Sequence, residues 1–210
     1  MKRQQLDIIE SVLLDYGSDV KKLLEAVKTR NHGVYPVNCL NEIRAMNDHI
    51  ARCYRLFEDA QSADIDDISF QKEISKAKGR LQRLKYDCYK QWFVYVVEDI
   101  RYTRHKFYSS YWQRIGNGEL WRVYSENWKD GQKYEMEAKI NESIDASKAE
   151  EYYKHAFVAY NKITNVFSKY SREIKISQWI SFFEKIRSVA VWLIITICIA
   201  VITEVINMFV

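Results

Sequence analysis

Between Ile68 and Arg114 the chain meets a single helix-breaking residue, Gly79, so about 46 consecutive residues can run as one or two long helices, about 69 Å if straight. A strand-rich fold needs a turn roughly every ten residues. One proline and six glycines in 210 residues cannot supply those turns. The expectation is therefore an all-α protein, an antiparallel helical bundle with long helices. With 48% apolar residues the chain can bury a real core, and its length suits one domain with an appendage. A net charge of +4 is too small to argue for nucleic acid by itself, so charge has to be read locally.

Apolar residues Leu6, Ile9, Val12, Leu13, Tyr16, Val20, Leu23, Leu24 and Val27 recur every three to four positions and predict a first helix over Gln5 to Lys28, with a kink or restart at Gly17-Ser18-Asp19. The segment Arg30 to Val37 holds the only proline and reads as a loop. Asn38 or Asn41 then caps a second helix whose apolar residues are Leu40, Ile43, Ile50, Cys53, Tyr54 and Phe57. Gln61 to Asp67 ends it. Gly116-Asn117-Gly118 is the sharpest turn, and further helices are expected from about Glu119 to Lys139 and Ala146 to Ser171.

The chain changes character near its end. Ser188 to Thr203 carries no charge, and its apolar residues cover every side of a helix, whereas a buried core helix normally keeps one polar stripe. Ser188 to Val210 as a helix spans about 35 Å against a hydrocarbon thickness of about 30 Å. The expected division is a cytoplasmic bundle over 1–172, an interfacial amphipathic segment over 173–187 and a C-terminal transmembrane helix over 188–210. Trp179 and Trp192 are aromatic anchors, and Lys175, Lys185 and Arg187 all precede the span, which keeps the N-terminal part in the cytoplasm. The N-terminus has no apolar stretch after its basic residues, so no secretory signal is expected there. Glu204 lies near the far end of the span, where a carboxylate either snorkels to the interface or faces water in an oligomer. One helix cannot enclose a channel, so any pore requires several copies.

Two clusters carry candidate chemistry. Arg44 and His49 form R-x-x-x-x-H, a cation able to hold a phosphate and an imidazole able to move a proton. This spacing resembles the signature of the HEPN superfamily, helical domains of which many are metal-independent ribonucleases. The resemblance implies that Arg44 and His49 from two protomers converge on one RNA phosphate. The same stretch has another reading, a solvated helix surface with Arg44–Asp48 and Asp48–Arg52 pairs at i,i+4. In the second cluster, Arg101, Arg104, His105 and Lys106 interleave with Trp92, Phe93, Tyr102, Trp112, Trp121, Tyr124 and Trp128. Cations and rings in this mixture suit RNA or a nucleotide signal. They equally suit a helix whose rings pack inward while its cations face water.

No phosphate-loop, dinucleotide, nucleophile-elbow or zinc-protease motif is present, and the four histidines are too dispersed for a local metal site. Cys39, Cys53, Cys88 and Cys198 form no C-x-x-C pair and read as reduced, buried thiols. No metal or cofactor is expected. Bundle, R-x-x-x-x-H and terminal apolar helix together resemble HEPN-like membrane accessory proteins found beside RNA-targeting CRISPR nucleases, which assemble into pores and depolarise the bacterial inner membrane. That resemblance implies a single-pass inner-membrane effector of antiviral defence. Its partners would be the bilayer, further copies of itself, an RNA or nucleotide signal and a protein of the defence system. A membrane-tethered HEPN-type ribonuclease and a tail-anchored scaffold are the alternatives.

Overall fold

A computed structural model describes residues 2–59, 67–105 and 109–209. All regular elements among them are helical, as the scarcity of turn residues requires: α1 (Lys2–Asp15), α2 (Lys21–Arg30), α3 (Val37–Asp59), α4 (Asp67–His105), the short α5 (Ser109–Trp112), α6 (Glu119–Asn141), α7 (Ala146–Lys169) and α8 (Ser171–Phe209). The irregularity expected at Gly17 is a π-helical turn, Tyr16–Val20, between α1 and α2. Gln61 and its neighbours, expected to end the second helix, lie outside the described residues.

Helix ends show which local signals prevail. α3 starts directly after Pro36, whose carbonyl accepts the Leu40 N–H at 3.1 Å. Asn38 and Asn41, expected as caps, therefore lie inside the helix, because proline ahead of a first turn already has a helix-compatible φ and needs no donor. α7 keeps a side-chain cap: Asp145 Oδ1 accepts the N–H groups of Ser147 at 3.0 Å and Lys148 at 3.1 Å. Before α6, Gly116, Asn117 and Gly118 all have positive φ, at 59°, 53° and 88°. Three such residues in succession turn the backbone sharply, and two are glycines because this region is costly for a side chain.

The chain forms two compact units. The first comprises Met1–Asp99 and Asn127–Asn161, and α4 is its axis. On one side α4 runs antiparallel to α3, with Arg80 on Glu42 and Glu73 on His49 and Arg52. On another it runs parallel to α7, with Tyr89 stacked on Tyr153 at 5.5 Å between centroids and Phe93 against Tyr160 at 5.4 Å. Lys85 reaches Asp15 of α1, Arg30 of α2 reaches Asp99, and Lys90 reaches Glu142 beyond α6. α6 and α7 are antiparallel: the buried Tyr160 donates to Glu135, while Tyr153 donates to Glu142 just past the end of α6. These two buried rings thus find polar partners for their hydroxyls. The buried stripe of α3 is Cys39, Met46, Ile50 and Cys53, with Leu40 and Tyr54 left exposed.

The second unit comprises Ile100–Glu126 and Lys162–Val210. Its core centres on Trp112, whose ring meets Tyr124 and Phe167 edge-on at 5.2 and 5.3 Å. Lys169 and Tyr170 both hold Glu119 at the start of α6. The first turns of α8 join this core through Ile174 and Ser177, and the Tyr111 hydroxyl donates to Glu184 at 2.7 Å.

Packing density makes two helical glycines unequal. A Cβ on Gly131 would lie 2.6 Å from the ring of Tyr160, which is itself wedged between Phe93 and Trp128, whereas a Cβ on Gly79 meets nothing within 4 Å. Gly131→Ala is expected to cost roughly 1–3 kcal/mol, and Gly79→Ala to gain up to about 1 kcal/mol through helix propensity. Thermal unfolding should register about 2–4 °C per kcal/mol for a chain of this size. Equal melting temperatures for the two variants would contradict this packing.

Candidate functional site

His49 follows Arg44 by five positions, which places the two about 140° apart around α3. Arg44 is exposed, and among the described residues it has no ion-pair partner. His49 instead turns toward α4, where its Nδ1 lies 2.7 Å from Oε2 of Glu73, and both side chains are only 13% exposed. Within one chain the two members of the motif therefore point to different surroundings. The i,i+4 ladder does not form either: among the described residues Asp48 pairs with neither Arg44 nor Arg52. Arg52 leans across to Glu73 at 3.6 Å.

Glu73 is the residue that sequence reasoning missed, since its partnership with His49 crosses from one helix to another. Its Oε1 accepts from Lys76 at 2.6 Å, one turn further along α4, while Oε2 faces His49 and Arg52. The Lys76 hydrogen bond first, and then that of His49, hold the Glu73 carboxyl down to about 2 from an ordinary 4.5. Nδ1 is the nitrogen bound to Glu73, so Nε2 is the ring atom left for other chemistry.

Beside this cluster lies an open groove of about 340 Å³, lined by Arg52, Arg55 and Leu56 of α3 and by Ser69, Lys72 and Glu73 of α4. Of its cations, Arg52 and Arg55 come from α3 at i,i+3 spacing and Lys72 from α4. Lys72 and Arg55 drew no attention in the sequence because only the pairing of the two helices brings them to one cavity.

The aromatic-basic cluster separates by burial. Trp92 and Phe93 are buried in the first unit, Trp92 against Phe157 at 4.3 Å and beneath the guanidinium of Arg30 at 5.0 Å. Trp112 and Tyr124 are buried in the second. Arg101 and Arg104 are exposed, and Arg104 lies 5.6 Å from the centre of the Tyr124 ring. Most of these rings pack inward while the described cations face outward, the arrangement of a packed helix, and Tyr102 is the exposed exception. The side chains of His105 and Lys106 lie outside the described residues.

At the C-terminal end, Trp179 and Trp192 are exposed, and every side chain from Val189 to Thr203 is exposed on all sides of α8. The side chain of Glu204 lies outside the described residues. Ser171–Thr203 is, among the described residues, the one stretch long and apolar enough to cross a membrane. Cys198 shares that exposure, a departure from the expectation of four buried thiols, because α8 has no protein around it there. Cys39 and Cys88 are buried with their sulfurs 3.7 Å apart, and Cys53 is buried further along α3. Among the described residues no group of three or more His, Cys, Asp or Glu is placed to hold a metal ion. No protein-family model, no curated protein and no solved structure matches the chain.

The depressed carboxyl has a definite pH consequence. A folded-state value below the unfolded one contributes stability above pH 4.5, lost as pH falls toward about 2. Glu73→Gln should abolish that component and cost roughly 1–3 kcal/mol at neutral pH, because His49, Arg52 and Lys76 lose their shared counter-charge. Arg44→Ala should stay within about 0.5 kcal/mol. Urea unfolding of both variants at several pH values between neutral and acid makes the comparison, and an unchanged acid limb in Glu73→Gln would refute the assignment.

Proposed function

We propose that this protein is a single-pass membrane effector: the bundle stands in the cytoplasm, α8 anchors it in the bacterial inner membrane, and copies associate through α8 to permeabilise or depolarise that membrane. The observation that carries the reading is the uncharged stretch Val189–Thr203, exposed on every side of a helix that continues directly from the packed core. In water that surface would be strongly unfavourable, at about 25 cal/mol for each Å² of apolar area left wet. Hydrocarbon removes the penalty. The exposed Trp179, Phe182 and Phe183 upstream, with Lys175 and Arg187, suit the headgroup region and support an N-terminal side facing the cytoplasm.

Association is supported by the residues that face lipid. Thr196, Ala200 and Thr203 fall on one face at i, i+4 and i+7, and small side chains at that spacing let helix backbones approach closely. The threonine hydroxyls donate to their own helix, to the carbonyls of Trp192 at 2.9 Å and Ile199 at 2.8 Å, so neither is left unsatisfied in an apolar medium. The sequence resemblance to HEPN-like membrane accessory proteins suggests a role in antiviral defence, with a protein of that system as the activating partner.

A potential-sensitive dye in cells producing the protein should report depolarisation for the full chain and none for a chain ending at Arg187. Ala200→Ile should leave the protein in the membrane while lowering its mass in detergent toward the monomer and reducing depolarisation severalfold. Depolarisation by the truncated chain would sink the proposal.

A further inference from the structure

We infer that the groove between α3 and α4 binds the phosphate group of a small soluble ligand of nucleotide size, a function separate from the membrane reading and independent of it. At about 340 Å³ the groove falls at the lower end of small-molecule sites, which run from about 300 to 1,000 Å³. Arg52, Arg55 and Leu56 are spaced i, i+3 and i+4 on α3, and Ser69, Lys72 and Glu73 are spaced the same way on α4, so each helix turns one face to the cavity. Among the described residues, three cations meet one carboxylate there.

That carboxylate is already committed. Lys76 and His49 hold its two oxygens at 2.6 and 2.7 Å, and Arg52 stands further off at 3.6 Å. Among the described residues Arg55 and Lys72 have no acidic partner, and both are exposed to solvent at the groove. Like charges crowded into a cavity repel one another, and a phosphate group relieves that repulsion while offering the planar guanidinium forks two oxygens for bidentate hydrogen bonding. Leu56 adds an apolar wall for the body of the ligand.

The positive charge also has a limited extent. The next two cations on this side of α4, Lys76 and Arg80, are taken by Glu73 and Glu42, so along that face no free cation follows Lys72 until Arg83, about 16 Å away. A polymer needs an extended row of cations, whereas a single phosphate group needs only Arg55 and Lys72, with Arg52 beside Glu73 at the same groove.

The test uses the full chain in detergent, with thermal unfolding and titration calorimetry against pyrophosphate, adenosine triphosphate, adenosine and a ten-nucleotide RNA. Pyrophosphate and adenosine triphosphate should raise the melting temperature, adenosine should not, and binding should weaken as salt is raised. Arg55→Ala combined with Lys72→Ala should weaken binding at least about tenfold, with the ligand-free melting temperature unchanged because both side chains are exposed. Lys72→Gln alone should shift affinity in the same direction if the double variant folds poorly. Lys78→Ala, about 120° around α4 from Lys72, should bind like the wild type. Failure of both phosphate probes at millimolar concentration, wild-type affinity in the folded Arg55 and Lys72 variants, or RNA binding a hundredfold tighter than adenosine triphosphate would each overturn the inference. None of these outcomes depends on whether the protein depolarises a membrane.

Discussion

The uninterrupted run of α4 is the constraint on which the first unit depends. Its residues Tyr86, Tyr89, Trp92 and Phe93 form a buried aromatic surface against Tyr153, Phe157 and Tyr160 of α7. Such pairs contribute about 0.5–1.5 kcal/mol each beyond the area they bury. Because these rings occupy one side of α4, its other sides remain for α3, α1 and α2. A break in this helix would cost several interfaces together, and its one glycine, Gly79, lies within the continuous helix in open space.

Charge is arranged around this framework as closed local networks. Glu73 collects His49, Arg52 and Lys76; Glu150 collects Lys85 and Lys154; Glu119 holds Lys169 and Tyr170. Each carboxylate serves more than one donor, so removing a single cation leaves the acid partly satisfied. Many of these groups are partly exposed, and exposed ion pairs contribute little. Their larger effect is on alignment, since Glu42–Arg80 and Glu73–His49 are compatible with one register of α3 on α4. Among the described residues, cations outside the networks become conspicuous against that background, as at the groove containing Arg55 and Lys72.

α8 passes through two chemical environments without a break. Ile174 and Ser177 are buried in the second unit, Glu184 accepts a hydrogen bond from Tyr111, and beyond Arg187 the described side chains touch no protein core. The junction coincides with the change from a charged, aromatic-rich sequence to an uncharged one. A helix continuous across that junction would transmit any rotation or tilt of its apolar part to the residues packed around Trp112, a mechanical link that a flexible linker would lose.

Much of this was legible in the chain alone. The helical class follows from the lack of turn residues, the sharp turn from Gly116-Asn117-Gly118, and the apolar character of α8 from sixteen residues without charge, because each depends on local chemistry or on a period within one helix. The details that failed were also local guesses overridden nearby, as when Pro36 displaced Asn38 and Asn41 from the cap of α3. The fate of Arg44 and His49 could not be read this way. Their spacing fixes an angle around one helix, but Glu73 lies twenty-four residues beyond His49 and reaches it only because α3 and α4 run antiparallel in one register. The gathering of Arg52, Arg55 and Lys72 at one cavity has the same origin. Sequence by itself determined the helices and the membrane-competent segment; tertiary structure decided which charges are neutralised and which remain available, because that depends on distances between helices that no periodicity within a helix contains.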